Sequence, residues 1–283
     1  MEFLDFCRAC GILIDHEPPI GVWKRYPTED HPRKRNGAVK FMGDHAFVQN
    51  HATDTEVQLW RTDRPVKIDH AKIREASKAA QLERERLQRN AASKAAQIIK
   101  ESVRGFHDYI KAKGFEDEEV NIYFKDGIQH AVIPMRVDGR LVGCQLIDPK
   151  GGKKFLYGQR TNDAQFVLDN KGTHFFCEGY ATALSLRSVL SSMKLRYTIH
   201  VCFSAHNLLR VAQSLRSGVV IADNDKSGTG LKIAQQSLLP YWMSDREGED
   251  FNDYWRRVGA VRAGLALRPL VSRRRGGDDA RAG

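Results

Sequence analysis

Gly218-Val-Val-Ile-Ala-Asp-Asn-Asp-Lys-Ser-Gly228 is an apolar, β-branched run that stops at two aspartates one residue apart. Bounded by Gly218 and an Asp/Asn/Ser/Gly cluster, it reads as a buried parallel strand, then a loop, then a helix starting near Thr229. Open α/β sheets carry their chemistry at the carboxyl ends of such strands, so Asp223 and Asp225 are expected at the mouth of a cleft. Two carboxylates that close repel each other unless they share a cation or a proton, which makes a Mg²⁺ site one reading. The other is a turn that caps the next helix, an ordinary use of Asp.

Upstream, Thr173–Cys177 reads as a strand, Tyr180–Leu195 as a helix, Thr198–Phe203 as a strand and Asn207–Leu215 as a helix. Strands alternating with helices imply right-handed crossovers and a parallel sheet. Glu178, at the end of the first strand, should then lie beside Asp223 and Asp225 and make a three-carboxylate cluster. Before these elements, Val120–Phe124, Ala131–Met135, Leu141–Ile147 and Lys154–Tyr157 are strand-like runs separated by Asp126-Gly127, Asp138-Gly139 and Lys150-Gly-Gly152. They predict an antiparallel meander with short turns. Its last hairpin gathers Lys150, Lys153, Lys154 and Arg160.

Residues 1 to about 65 are expected to form a small β-rich module behind a short helix that ends at Gly11. Trp23-Lys-Arg-Tyr26, His31-Pro-Arg-Lys-Arg35, Lys40-Phe41 and Trp60-Arg61 interleave aromatics with cations. Either the module grips a nucleic-acid backbone through residues such as Lys24, Arg25, Arg33, Lys34 and Arg35 and stacks bases, or its aromatics are core and its cations merely solvated. Cys7-x-x-Cys10 has no second ligand pair within ribbon distance, so no zinc is expected. Residues 66–104, rich in Ala, Lys, Glu, Arg and Gln, predict a long helix acting as a solvated linker. Past Gly259 the chain to Gly283 reads as a basic, unstructured tail.

The 283 residues carry a net charge of +10 and a pI near 9.4, which favours an acidic partner such as a nucleic acid. Five scattered cysteines speak against a disulfide framework and for a reducing compartment. No apolar run is long enough to span a bilayer, and no membrane association is expected.

Glu178-Gly-Tyr-Ala-Thr-Ala183 followed by Ala222-Asp-Asn-Asp225-x-x-Gly228 resembles the Toprim domain shared by bacterial primases, topoisomerases and related nucleases. With Val132-Ile-Pro-Met135, Gly143-Cys-Gln-Leu-Ile147, Gly152-Lys-Lys-Phe155, Phe203-Ser-Ala-His-Asn-Leu208 and Gly248-Glu-Asp-Phe-Asn-Asp253, residues 105–258 are similar to Toprim primases of phages and conjugative plasmids. Pro27-Thr-Glu-Asp-His-Pro-Arg-Lys-Arg-Asn-Gly37 resembles the front module of such proteins. The resemblance implies a primase N-terminal subdomain over 105–170 and a Toprim parallel sheet flanked by helices over 171–258. It implies Glu178 as general acid or base or as metal ligand, Asp223 and Asp225 as Mg²⁺ ligands, and a further acid at Asp250 in preference to Asp253. Lys153, Lys154, Arg160 and Lys226 would bind nucleotide or template. Thr182 stands where cellular primases usually have a further aspartate.

The expectation is therefore a DNA primase making short RNA primers on single-stranded DNA from ribonucleoside triphosphates, with Mg²⁺ or Mn²⁺. It would work in the cytoplasm of a bacterial host. A Toprim nuclease and a non-catalytic single-strand-binding accessory protein are the alternatives, and the length leaves little room for a topoisomerase. No Gly-x-x-x-x-Gly-Lys-Ser/Thr loop is present, so any replicative helicase would be a separate partner.

Overall fold

The computed structural model describes residues 1–53, 56–62 and 69–272. The chain divides into two compact units, Met1–Arg86 and Leu87–Gly283.

In the first unit, α1 (Phe3–Ala9) is followed by β1 (Trp23–Tyr26), β2 (Gly37–Phe41), β3 (His45–Asn50) and β4 (Gln58–Arg61), an antiparallel sheet in sequential order. As the sequence implied, α1 stops just ahead of Gly11, whose φ of 70° turns the chain away from the helix. Alternation along the strands sends Val39, Phe41, Ala46, Val48 and Trp60 to one face, where Phe3, Cys7 and Ile12 close the core. Cys7 thus belongs to that core, and burial pushes its thiol up to about 12. Helix α2 (His70–Glu101) begins in this unit and continues into the next.

The expectation of a solvated linker fails for the second half of α2. Ala91, Ala95 and Ile98 are buried, and Ala95 and Ile98 pack on Val132, Cys144 and Leu146 of the sheet that follows. The alanines that read as solvent-facing filler are what lets the helix lie close to the strands. Replacing Ala95, which has no exposed surface, by leucine should cost about 1–3 kcal/mol through overpacking. A lowered urea midpoint at unchanged slope would register it; an unchanged midpoint would mean that the helix stands off the sheet.

That sheet is built from β5 (Val103–Gly105), then past α3 (Asp108–Ala112) from β6 (Val120–Lys125), β7 (Ile128–Val137), β8 (Arg140–Ile147) and β9 (Lys153–Phe155), all antiparallel neighbours in chain order. Asp126-Gly127 and Asp138-Gly139 both have positive φ at both positions, the backbone that two-residue hairpins need to match strand twist.

The next sheet comprises β10 (Phe166–Asp169), β11 (Thr173–Cys177), β12 (Tyr197–Val201), β13 (Val219–Ala222) and β14 (Tyr241–Met243) in the spatial order β10-β12-β11-β13-β14. Only β10 runs antiparallel to its neighbour. Helices α4 (Tyr180–Ser192), α5 (Ala205–Leu215), α6 (Thr229–Gln236) and α7 (Phe251–Ser272) cover it. Phe175, Cys177, Val219 and Ile221 point into a core with α4 and α7, while Phe176, Val220 and Ala222 point the other way to α5 and α6. A sheet buried on both faces explains why its strands are unbroken apolar runs. From β11 the chain goes to β12 on one side, then crosses over β11 to β13 on the other, so the strand order reverses between β11 and β13. At such a reversal the flanking helices leave a crevice at the strands' carboxyl ends.

The unstructured tail expected from Gly259 is a second correction. Gly259 does break α7, with φ 81° and ψ 164°, but the helix resumes to Ser272 and buries Ala263 and Leu267 in the core. The Arg- and Gly-rich run 273–283 lies outside the described residues. Among the described residues no helix is long and apolar enough to cross a membrane.

Candidate active site

The crevice between β11 and β13 is where Glu178 and Asp223 leave their strands. Phe175 pairs with Val219 and Phe176 with Val220, in parallel register, so the two strand ends stand side by side. Glu178 is held by its backbone: its carbonyl accepts the Phe203 amide at 2.9 Å. Phe203, just past the end of β12, sits in the left-handed region at φ 68°, strained for an aromatic residue. The motif residues that follow are structural supports. Ser204 caps α5, and buried Asn207 donates to the Ala164 and Cys202 carbonyls and accepts the Asp163 amide.

Electrostatics tie the carboxylates together. Burial pushes the Glu178 carboxyl up to about 7; Asp225's charge adds to this, and Lys153 and the Ala205 amide pull against it. Asp223 is pushed up to about 8, first by burial, then by the charges of Glu178 and Asp250, with Lys153 opposing and Asp225 reinforcing. The Asp223 Oδ1 is buried and has no hydrogen-bond partner. A buried, unpaired carboxylate oxygen is costly unless something supplies charge or a proton.

Asp225 behaves differently. Its Oδ1 accepts the Ser227 and Thr229 amides and its Oδ2 the Gly230 amide, and the Ser227 hydroxyl also donates to it. Burial works to raise its carboxyl, but these bonds outweigh it and hold the group below the usual range. Asp225 therefore does perform the turn-and-cap role open to it from sequence, while remaining charged beside Glu178. Asp250 likewise accepts the Asp253 amide at the start of α7 while its charge acts on Asp223. Asp253 is paired with Lys113 at 3.3 Å. Among the described residues no three His, Cys, Asp or Glu side chains converge on one ion position as they stand. The charges of Glu178, Asp250 and Asp225 act on Asp223, and that of Asp225 acts on Glu178, without the three-carboxylate cluster expected of them.

The cations separate too. Lys153 Nζ stands against Gly179, 3.9 Å from where a β-carbon there would be, and its charge lowers both Glu178 and Asp223. Lys154, its neighbour on β9, faces away by strand alternation and acts on Asp148. Arg160 is committed to Asp163 at 2.9 Å, a carboxylate that also takes Arg210 at 3.1 Å. Lys226 is exposed in the turn after Asp225. Phe155, quoted in a motif but given no role from sequence, lies on the Lys153 face of β9 with its ring edge-on to Phe203 at 6.3 Å. Gly230 likewise had no role from sequence, and a methyl group there would run into the Asp223 carbonyl. The placement of Gly230 in the first turn of α6, after a strand-end acid, is the available signal.

Fold and site define an open α/β domain with an acidic crevice at its topological switch point. No protein-family model matches the chain, and no curated protein matches it. Among solved structures the chain is similar to one from a structure of bacteriophage T7 lagging-strand DNA polymerase interacting with primase domains of two gp4 subunits bound to an RNA/DNA hybrid and dTTP. The TM-score is 0.40 and the identity 16%, over 58% of this chain and 85% of that one.

Proposed function

We propose that the chain is a DNA primase of the Toprim type, joining ribonucleotides into short primers on single-stranded DNA, with residues 171–258 as the Toprim domain and 105–170 as its N-terminal subdomain. The observation that carries this reading is the pairing of Glu178 and Asp223 at adjacent parallel strand ends, with Asp223 Oδ1 buried and unpartnered. A hard divalent cation suits an all-oxygen donor set, and Asp223, Asp225 and Asp250 would hold it. Bound there, Mg²⁺ would lower the pKa of an attacking 3′-hydroxyl and neutralise charge on the leaving pyrophosphate.

The protein's own groups divide the remaining work. A carboxyl with its pKa near 7 can take a proton and return it at physiological pH, which suits Glu178 as the acid or base for the 3′-hydroxyl. Lys153 brings a positive charge to the lip of the same crevice, where a triphosphate would arrive. Lys154, on the opposite face of β9, is assigned to template, and Lys226 to the strand passing the Asp225 turn. The cytoplasm of a bacterial host, with a separate helicase as partner, completes the proposal.

Lys153→Ala should raise the KM for ribonucleoside triphosphates at least about tenfold, the scale of losing one charge-assisted contact, while Lys154→Ala should leave it within about twofold. Equal effects from the two would remove Lys153 from the triphosphate site. The function itself is tested with single-stranded DNA, labelled ribonucleotides and Mg²⁺. Oligoribonucleotide products that disappear in Asp223→Ala support the proposal. A shortened template instead identifies a nuclease using the same carboxylates, and binding without either product identifies an accessory protein.

A further inference from the structure

The first unit carries a surface that the core does not explain. Across the sheet, Trp23 pairs with Lys40, Lys40 with Phe47, and Phe47 with Leu59. Directly paired residues share a face, so these four form one row across all four strands, on the side opposite the Val39, Phe41, Val48 and Trp60 core. His45 and Arg61 make the next row in one direction, and Arg25 stands on the row beyond Trp23 in the other. Trp23 is 43% exposed and Leu59 46% exposed. The Trp23 and Phe47 rings lie 6.5 Å apart, and His45 meets Phe47 edge-on at 5.5 Å.

Large aromatics are kept on a solvated face at a cost, and here three aromatic rings are framed by Arg25, Lys40 and Arg61. Among the described residues Asp44 stands at the margin, its carboxylate 2.6 Å from His45 Nδ1 and within reach of the Arg61 charge. A basic surface set with flat apolar rings complements a polymer with a charged backbone and exposed π-faces. Single-stranded nucleic acid has that chemistry, whereas a duplex hides its base faces in the stack. Lys24, by contrast, falls on the other face by register, and Arg33, Lys34 and Arg35 lie in the turns between β1 and β2.

We infer that the outer face of the β1–β4 sheet is a single-strand nucleic-acid platform on which Trp23 and Phe47 stack bases while Arg25, Lys40 and Arg61 track the phosphates. It shares with the proposed function only a common polymer. It is read with EDTA present, so that failure of the carboxylate chemistry and failure of this surface are separate results.

The experiment measures binding of the full chain to fluorescein-labelled oligo-dT, oligo-U and a duplex of equal length by anisotropy, at two salt concentrations. Trp23→Ala combined with Phe47→Ala should weaken binding to at least one single strand about tenfold or more, the scale of base–aromatic stacking. Trp23→Phe should retain most of it. Lys40→Gln combined with Arg61→Gln should lower the magnitude of the salt slope by about 1.4, at roughly 0.7 per lost phosphate contact on a single strand. Preference for dT or U tells DNA from RNA. The inference is overturned if the double aromatic variant binds both single strands as the wild type does, if the duplex binds as tightly and as sensitively to Trp23, or if Trp23→Phe loses as much as Trp23→Ala. Unchanged thermal midpoints in the variants show that the unit is still folded, and Trp23→Phe gives the answer where Trp23→Ala does not fold.

Discussion

In EDTA the protein should become less stable as the pH rises from about 6.5 to 8.5, and a divalent cation should reverse the loss. Glu178 and Asp223 have carboxyls near 7 and near 8 in the folded chain but near 4 when unfolded. A carboxyl raised on folding contributes stability that is complete below its unfolded pKa and lost as pH climbs through the folded one. Groups shifted the other way act in other windows. His200 is lowered to about 4, chiefly by burial, with His174 adding to the effect, so it favours folding increasingly between about pH 4 and 6.5. The carboxylates held low by their partners, such as Asp225 and Glu249, lose their contribution only in acid. Between pH 6.5 and about 8 the slope therefore belongs to the crevice acids; the buried thiols Cys7, Cys144, Cys177 and Cys202, raised by burial, add to it only as the pH approaches the ordinary thiol range.

Over that range Asp223 alone is worth about 2 kcal/mol, or roughly 4–8 °C in Tm for a unit of this size. Asp223→Asn removes the buried charge while keeping the shape. It should raise the metal-free Tm at pH 8 and flatten the pH dependence above 6.5 and, on the proposed function, abolish the gain from Mg²⁺ and stop primer synthesis. A flat wild-type profile in EDTA, or an Asn variant still stabilised by Mg²⁺, would place the cation elsewhere. A variant more stable and inactive is the expected signature of an acid retained for chemistry at the expense of folding.

The parts of the fold that were legible in the sequence are those governed by local rules. Asp126-Gly127 and Asp138-Gly139 announce hairpins because only a few residues tolerate two consecutive positive φ values. Thr173–Cys177 and Val219–Ala222 announce buried strands because both faces of that sheet are covered. What could not be read depended on distant partners. The alanines of α2 gain meaning only from Val132, Cys144 and Leu146, which lie far along the chain. Gly259 is a genuine break, yet Ala263 and Leu267 rejoin the core among arginines that dominate the local composition. Strand β14 has three residues and no pattern long enough to count. At the site, strand order placed Glu178 beside Asp223, but the pairing of Arg160 with Asp163, the capping duty of Asp225 and the opposed faces of Lys153 and Lys154 are matters of register and rotamer. In the first unit the same limit applied: composition named the aromatics, and only the pairing of Trp23 with Lys40 separated the surface rings from Phe41 and Trp60 in the core.

On the proposed function, Gly230→Ala should reduce primer synthesis at least about a hundredfold, although alanine is the better helix former by about 1 kcal/mol. Gly230 lies in the first turn of α6, and its amide donates to Asp225 Oδ2 at 2.9 Å while its α-carbon lies against the Asp223 backbone. A β-carbon there would overlap the Asp223 carbonyl oxygen and crowd the Asp223 amide at 3.3 Å. The contact is with backbone, which cannot rotate aside, so α6 and the end of β13 must separate. Both aspartates then move relative to Glu178, and a displacement of about 1 Å at a reacting centre is enough for a loss of this size. Two other glycines separate this effect from general damage. Gly228, at φ 70°, faces open space, so Gly228→Ala should cost about 1 kcal/mol of stability and little activity. Gly172 lies against the Arg196 and Tyr197 backbone, at the other end of the strands from the acids. Gly172→Ala should lower the Tm while the protein that remains folded at low temperature keeps its kcat. If Gly230→Ala tracks Gly172→Ala, with stability lost and kcat retained, the α6 contact is only a packing contact and the two aspartates are not held in place by it.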